Sequence, residues 1–172
     1  RQFGADSPFL RPKELASDSS LVIDTLLYTI DWLKNKGESY DLILMLQPTS
    51  PLRITEDIDG VIKELFLRNV KAIVSVCETE HLPCWANTLP EDLSMEDFIR
   101  PEILNKNRQQ LQTFYRLNGA LYLAYCDYLI EQKGFWGGET SAYIMPKERS
   151  VDIDTELDFR IAECLFNVQK QG

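Results

Sequence analysis

Apolar and polar residues follow a helical rhythm in two stretches of the first half of the chain. Between residues 21 and 33 the apolar positions recur at helical spacing, and we predict a helix that Asp18-Ser19-Ser20 caps and Gly37 ends. A second helix is predicted after Thr55, with one apolar face formed within residues 58–66. Both segments are amphipathic, so each should cover a hydrophobic layer.

Two continuous apolar runs flank the second helix. Residues 42–46 and 72–77 carry almost no polar side chains, which is typical of strands buried on both faces in a parallel sheet. Strand, helix and strand at this spacing predict a βαβ unit with a parallel sheet. The fold class predicted from the pattern is therefore α/β.

The pattern breaks between residues 81 and 116. This stretch is polar, rich in Pro and Asn, and shows no clear period. A structureless segment of this length is uncommon inside a compact domain, so we predict an excursion such as a flap or a subunit interface. We expect one domain over residues 1–172 that includes this excursion.

Regular structure is predicted again in the last third of the chain. Residues 117–125 are strand-like, residues 142–145 fit a short strand, and residues 150–154 alternate in the manner of a strand. Thr155 should cap a final helix that runs to about residue 170, with Asp158 as its capping-box partner.

Composition and charge exclude several classes of protein. The chain is 44% hydrophobic and 26% charged, and 18 Lys and Arg against 27 Asp and Glu give a net charge of −9. So acidic a chain is a poor binder of nucleic acid, and its apolar runs are far shorter than the roughly 20 residues that a membrane span needs. The four cysteines form no C-x-x-C pair, and there is one histidine. This argues against structural zinc and favours reduced thiols in the cytoplasm.

The sharpest candidate for chemistry is Val151-Asp152-Ile153-Asp154. In a strand, the two carboxylates would share a face with their Cα atoms about 6.6 Å apart. At an effective dielectric near 20, their repulsion costs roughly 2–3 kcal/mol, and a divalent cation removes that cost. Mg²⁺ typically takes one or two carboxylates plus substrate phosphates. The alternative from the residues alone is a solvated strand end before a capped helix.

Two further segments could bind a small anionic ligand. The loop at residues 47–53 follows a predicted buried strand, where open α/β sheets bind ligands, although it could equally be a proline-stiffened turn. Residues 100–116 carry a local charge of +3, which suits a carboxylate or phosphate but also a solvated loop. Tyr122, Phe135 and Trp136 could wall a pocket or belong to the core.

Taken in order, these motifs resemble the N-acylneuraminate cytidylyltransferases, also called CMP-sialic acid synthetases. The matching segments span nearly the whole chain: residues 11–16 with Asp18, QPTSPLR at 47–53, RQQ at 108–110, Arg116 with NGALY at 118–122, and SVDIDT at 150–155 followed by Asp158-Phe159. The related enzymes that activate the eight-carbon sugar Kdo are similar in fold but lack the QPTSPLR loop.

The resemblance implies a Rossmann-like nucleotide-diphospho-sugar transferase fold with a mainly parallel sheet. It also implies a homodimer whose small dimerisation subdomain includes residues 81–116. The implied reaction is attack of the anomeric hydroxyl of sialic acid on the α-phosphorus of CTP, giving the CMP-sugar and pyrophosphate. Relatives that activate legionaminic or pseudaminic acid, and a non-catalytic module that binds the sugar acid or the nucleotide, remain alternatives.

The resemblance also implies roles for individual residues. Asp152 and Asp154 would hold Mg²⁺ on the phosphates, with Arg116 near the active site as a third catalytic residue. The implied ligand-binding residues are Arg108 for the sugar carboxylate, Gln47 and Tyr122 for the sugar, Thr49 and Asn118 as further substrate-binding residues, Phe135 and Trp136 for the N-acyl arm, and Arg11 with Ser20 for the cytosine.

One feature of the family does not match. The family opens with a strand and a Gly-rich basic loop that cradles the CTP triphosphate, and the first residues here show no such segment. We therefore expect this 172-residue polypeptide by itself to be inactive or nearly so.

Overall fold

The computed structural model describes residues 2–17 and 19–170. Over that part of the chain, four α-helices flank a four-stranded sheet. In chain order these elements are α1 (Val22–Asn35), β1 (Leu42–Met45), α2 (Thr55–Arg68), β2 (Ala72–Glu78), β3 (Tyr115–Tyr125), α3 (Cys126–Gln132), β4 (Thr140–Ile144) and α4 (Glu156–Gln169).

The sheet is mixed, with strand order β1-β3-β2-β4. β3 pairs antiparallel with both β1 and β2, whereas β4 pairs parallel with β2, so β1, β2 and β4 run in one direction. The predicted α/β class is confirmed. β1 and β2 are nevertheless not neighbours, because β3 lies between them. β1 is also only half-buried rather than fully covered, since among the described strands it pairs with β3 alone.

Two apolar layers cover the two faces of the sheet. On one face, Val61 and Leu65 of α2 pack with Ile73 and Leu123. On the other, strand residues such as Val74 pack with helix α3 and half-buried side chains of α1. The period of two along β2 and β3 sends successive side chains to opposite layers, which is why these strands are almost wholly apolar.

The helix ends match the sequence predictions only in part. The cap of α4 is confirmed, because the Thr155 side chain and Asp158 form the reciprocal capping box. The cap of α1 is not as predicted: the helix begins after Leu21, and the Ser20 hydroxyl donates instead to the carbonyl of Glu14. Asp18, also part of that predicted cap, lies outside the described residues. Thr55 is the first residue of α2 rather than its cap.

Two other segments correct or extend the predicted elements. Residues 150–154 form no strand; they are an irregular segment tied to Thr49 by one backbone bond, from the Ile153 N–H at 2.8 Å. Helix α3 was not predicted, because it is only seven residues long and follows β3 without a break. Residues 79–114 contain neither strand nor α-helix, but three single 3₁₀ turns, at Pro83–Trp85, Pro101–Ile103 and Arg108–Gln110.

No helix formed by the described residues combines the length and the apolar character needed to cross a membrane.

Candidate active site

A large β-bulge between β2 and β3 builds the centre of the site. Val74 pairs with Tyr122 and Val76 with Leu117, so Ser75 alone faces the four residues 118–121. A bulge leaves backbone amides without ladder partners, and buried amides need replacements. Two buried side chains supply them: the Ser75 hydroxyl accepts from the N–H of Leu121 at 2.8 Å, and the Asn118 carbonyl oxygen accepts from the N–H of Ala120 at 3.2 Å. Residues 118–121 of the bulge are therefore buried, with side-chain partners for the N–H groups of Ala120 and Leu121.

Gly119 lies within this bulge with φ +70°, a backbone conformation that favours glycine. A Cβ atom added there would lie 2.5 Å from Gln47 Oε1, 2.7 Å from Ser50 Oγ and 3.2 Å from Asp152 Oδ2. Three side-chain oxygens from two distant segments therefore converge on this one backbone position. Both the backbone angle and the lack of space require glycine here.

The loop at residues 47–53 is held by its own side chains. Arg53 Nη1 donates to the carbonyl oxygens of Gln47 at 2.8 Å and of Ser50 at 2.5 Å. The fully buried Ser50 hydroxyl donates to the carbonyl of Asn118 at 2.9 Å and lies 3.3 Å from Asp152 Oδ1. Burial of the Arg53 guanidinium lowers its pKa. The loop is therefore a fixed platform beside the bulge.

The acidic segment at residues 150–154 is fixed from the sheet side through Ser150. Asn118 Nδ2 donates to the Ser150 hydroxyl at 2.9 Å, and Arg116 Nη2 donates to the Ser150 carbonyl at 3.1 Å. Asp152 is half-buried beside the bulge, whereas Asp154 is exposed and its N–H lies 3.3 Å from a carboxylate oxygen of Asp158.

Arg116 forms a bidentate ion pair near the acidic segment. Its Nε and Nη2 donate to the two carboxylate oxygens of Glu80 at 3.0 and 2.8 Å. These hydrogen bonds lower the pKa of Glu80 from 4.5 to about 2. The same hydrogen bonds raise the pKa of Arg116, and the nearby charge of Asp152 raises it slightly further. Arg116 thus lies close enough to Asp152 to interact with it while held by Glu80.

A cleft of about 310 Å³ opens next to this cluster, and four of the predicted binding residues line it. The rings of Tyr122 and Phe135 lie 5.3 Å apart at 55°, and Trp136 is more than half exposed. Burial raises the pKa of the Tyr122 hydroxyl, and the charge of Asp152 raises it further, so the hydroxyl stays protonated at neutral pH. The cleft is lined by Gln47, Tyr122, Phe135 and Trp136 together with Leu21, Val22, Ile23, Met45, Lys133 and Gly134.

Other predicted residues lie elsewhere. The guanidinium of Arg108 lies 3.5 Å from Glu78 at the end of β2, outside that cleft. Arg11 is exposed, and Ser20 directly precedes the cleft residue Leu21. Thr49 is exposed and meets the acidic segment through its backbone carbonyl.

Asn118 is fully buried, and its side chain is engaged by protein groups. Its oxygen accepts from Ser75 at 2.6 Å as well as from the bulge, and its nitrogen donates to Ser150. In this structure Asn118 joins the bulge to the acidic segment instead of facing the cleft.

Sequence reasoning missed three residues that shape the site: Ser75, Glu80 and Asp57. Ser75 could have been found as the polar residue inside an otherwise apolar buried run, which asks for an internal hydrogen-bond partner. Glu80 and Asp57 had no such signal, because their arginine partners Arg116 and Arg149 are distant in sequence.

The donor set around Gly119 fits a hard cation. Carboxylate, amide and hydroxyl oxygens are what Mg²⁺ prefers, and it commonly takes only one or two carboxylates from the protein. Within residues 2–17 and 19–170, no three His, Cys, Asp or Glu side chains gather into a group that could hold a metal. Among the oxygens around Gly119, Asp152 supplies the carboxylate, and Asp154 is exposed two residues further along the chain.

The mixed sheet, its flanking helices and a cleft beyond the end of β1 are consistent with a Rossmann-like nucleotidyltransferase fold. No protein-family model matches the chain. The chain is 31% identical to the CMP-N,N'-diacetyllegionaminic acid synthase of Legionella pneumophila, over 99% of this chain and 73% of that protein. It is 32% identical to an N-acylneuraminate cytidylyltransferase of Escherichia coli, over 93% of this chain and 37% of that one. A pseudaminic acid cytidylyltransferase of Campylobacter jejuni is 26% identical, over 99% of this chain and 73% of its own.

The chain belongs to the family of N-acylneuraminate cytidylyltransferases and related CMP-nonulosonic acid synthases. The resemblance seen in the sequence motifs is thereby confirmed.

Proposed function

We propose that the protein transfers CMP from CTP to the anomeric hydroxyl of a nonulosonic acid and releases pyrophosphate. The observation that carries this proposal is the convergence of Gln47, Ser50 and Asp152 oxygens on Gly119, beside the aromatic cleft. This arrangement offers oxygen ligands for a phosphate-bound Mg²⁺ next to a half-apolar place for a sugar. Family membership supports the same reaction.

The chemistry needs positioning and charge neutralisation more than covalent help. The anomeric oxygen bonds to the α-phosphorus, the bond to the bridging oxygen breaks, pyrophosphate leaves, and the hydroxyl proton passes to water. Mg²⁺ held by Asp152 and Asp154 would neutralise phosphate charge and lower the pKa of the attacking hydroxyl. Arg116, already close to Asp152, would add a fixed positive charge at the same place.

The sugar acid would occupy the cleft. Gln47 and the protonated Tyr122 hydroxyl can hydrogen-bond its polar groups, while Phe135 and Trp136 can pack against an N-acyl arm. Arg108 would take the sugar carboxylate by leaving its long, exposed contact with Glu78, which costs little.

Fewer contacts in the structure bear on the residues proposed to bind the nucleotide. Arg11 and Ser20 would contact the cytosine, as the family resemblance implies. Ser20 lies next to the cleft residue Leu21, and Arg11 is exposed and free to approach a ligand from solvent.

Two acceptors are proposed. The first is an N-acylneuraminic acid, and the second is a diacylated relative such as N,N'-diacetyllegionaminic acid. The second candidate rests on the match to the Legionella protein, which extends over 99% of this chain. The apolar part of the cleft wall suits an acyl group in either case.

The test is an acceptor panel. The full-length protein is incubated with CTP, Mg²⁺ and N-acetylneuraminic, legionaminic or pseudaminic acid, and the CMP-sugar is detected by mass spectrometry. We expect a product from at least one of the three. If none forms a product while calorimetry shows that the sugar acid or CTP binds, the protein is a binding module and the proposed reaction is wrong.

The same proposal includes a homodimer formed through residues 81–116 and a cytoplasmic location. Exposed Leu93 and Met95 in that stretch support an interface, and all four cysteines are free, as in a reducing compartment. Light scattering on the purified full-length protein tests the dimer, and a monomeric mass would contradict it.

A further inference from the structure

An ion pair between the partly exposed Arg149 and the buried Asp57 lies next to the acidic segment and outside the cleft. Arg149 Nε and Nη2 donate to the two carboxylate oxygens of Asp57, each at 2.8 Å. Asp57 is only 2% exposed, and one of its oxygens also accepts from the N–H of Ile54 at 3.1 Å. A carboxylate with three such donors is held in one orientation.

The pair joins the two segments that supply the site's oxygens. Asp57 lies in the first turn of α2, four residues after Arg53 and the end of the 47–53 loop. Arg149 directly precedes Ser150 and lies three positions before Asp152. The two partners are 92 residues apart in sequence, so the pair fixes the end of one segment against the end of the other.

Stability alone is a weak reason for such a pair. Taking two charges out of water costs about as much as their attraction returns, and apolar replacements of similar volume are often neutral or stabilising. What a bidentate arginine adds is direction, because its planar fork fits a carboxylate in few ways and a lysine cannot reproduce it.

The remaining contacts of the acidic segment leave Asp152 weakly held. The bond between the Ser50 hydroxyl and Asp152 is long at 3.3 Å, at the limit of useful geometry. The Ser150 bonds and the Ile153 bond fix the sheet side and the loop side of the segment. The Arg149 pair ties the residue directly before the segment to the first turn of α2.

We propose that Asp57 and Arg149 are positioning residues that orient the acidic segment so that Asp152 faces the oxygens around Gly119. Neither residue lines the cleft. For its catalytic consequence the inference rests on the proposed cytidylyl transfer, whereas its structural consequence does not.

The test compares three forms of the full-length protein with the wild type. Arg149→Lys keeps the charge and loses the fork. Asp57→Asn combined with Arg149→Gln removes both charges, so no carboxylate is left buried and unpaired. Arg160→Lys is the matched control, because Arg160 forms an exposed pair with Glu156 on α4.

The first measurement is hydrogen–deuterium exchange of the peptide covering residues 147–155. We expect faster exchange in Arg149→Lys and in the double variant, and wild-type exchange in Arg160→Lys. Unchanged exchange in both Arg149 variants would overturn the positioning role, whatever the activity.

The second measurement is the split between kcat and KM. Outer contacts that orient a metal-binding or catalytic carboxylate are typically worth about 10- to 100-fold in activity or metal affinity. We therefore expect kcat to fall at least about tenfold, with the KM values for CTP and the sugar acid within about threefold of wild type. Faster exchange with an unchanged kcat would overturn the catalytic consequence. If the wild type makes no CMP-sugar, the proposed function fails, and the exchange experiment still decides whether the pair orders the segment.

Discussion

Alanine at position 119 should lower the activity about 100-fold while leaving the protein folded. Gly119 has φ +70°, and a residue with a Cβ pays about 1–2 kcal/mol for a left-handed conformation. In a domain of this size that lowers Tm by roughly 2–8 °C. The new methyl group also lies 2.5 Å from Gln47 Oε1 and 2.7 Å from Ser50 Oγ. Ordinary contact then requires these oxygens to move by roughly 1 Å, a displacement that can cost about 100-fold in rate, or roughly 2.7 kcal/mol.

The chain provides a matched control for this substitution. Gly37 also has a left-handed backbone, with φ +82°, but a Cβ there meets nothing within 4 Å. Gly37→Ala should therefore share the loss of stability and keep the activity. The assay is kcat/KM for CMP-sugar formation at a temperature where thermal unfolding shows both variants fully folded. If Gly119→Ala and Gly37→Ala are equally active, the oxygens around Gly119 do not form the reaction centre.

Four other predictions concern separate parts of the structure. Glu80, held at a pKa of about 2 by Arg116, contributes stability that is complete above its ordinary value of 4.5 and is lost as the pH falls towards 2. Because the pair is partly exposed, Glu80→Gln should reduce the acid-induced loss of unfolding free energy by about 1 kcal/mol at most. The measurement is urea unfolding at pH 6 and pH 3, and a pH dependence identical to that of the wild type would contradict this prediction. Ser75→Ala leaves a buried bulge amide unpaired and should lower the free energy of unfolding by about 1–3 kcal/mol, so wild-type stability in urea would argue against the bulge network. Trp136→Ala should raise the KM for the sugar acid roughly tenfold, or about 1.4 kcal/mol, and leave the KM for CTP unchanged; equal changes in both would remove Trp136 from the sugar side. Thr155→Ala should cost about 1 kcal/mol of stability through loss of the α4 cap, and an unchanged Tm would show that the cap contributes nothing.

Local patterns carried much of the fold. The continuous apolar runs correctly predicted β1 and β2, and the Thr155–Asp158 spacing correctly predicted a capping box. These features depend on residues close together in sequence, where periodicity and capping chemistry apply directly. The position of β3 between β1 and β2 depends on long-range pairing, about which a local pattern contains no information.

The site divides in the same way. Gln47, Tyr122, Phe135 and Trp136 were predicted as binding residues, and the structure places all four around one cleft. The acidic segment was expected to be a strand, but its backbone is tied to the 47–53 loop rather than to a ladder. Its conformation depends on partners far away in sequence, among them the Asn118 side chain and the Asp57–Arg149 pair. Alternating residues alone could not distinguish such a segment from a strand.

The roles of the individual site residues stay predictions. The structure places Arg116 and the Ser50 hydroxyl close to Asp152, whereas Asp154 is exposed and bonded through its N–H to Asp158.

The central claim is tested most directly by pyrophosphate release from CTP. The full-length wild type and Asp154→Ala are compared with Mg²⁺, in the presence and absence of the preferred sugar acid from the acceptor panel. We predict release only when CTP, Mg²⁺ and the sugar acid are all present, and a fall of at least about 100-fold in the variant. Release that does not require the sugar acid, or full activity in Asp154→Ala, would contradict the account.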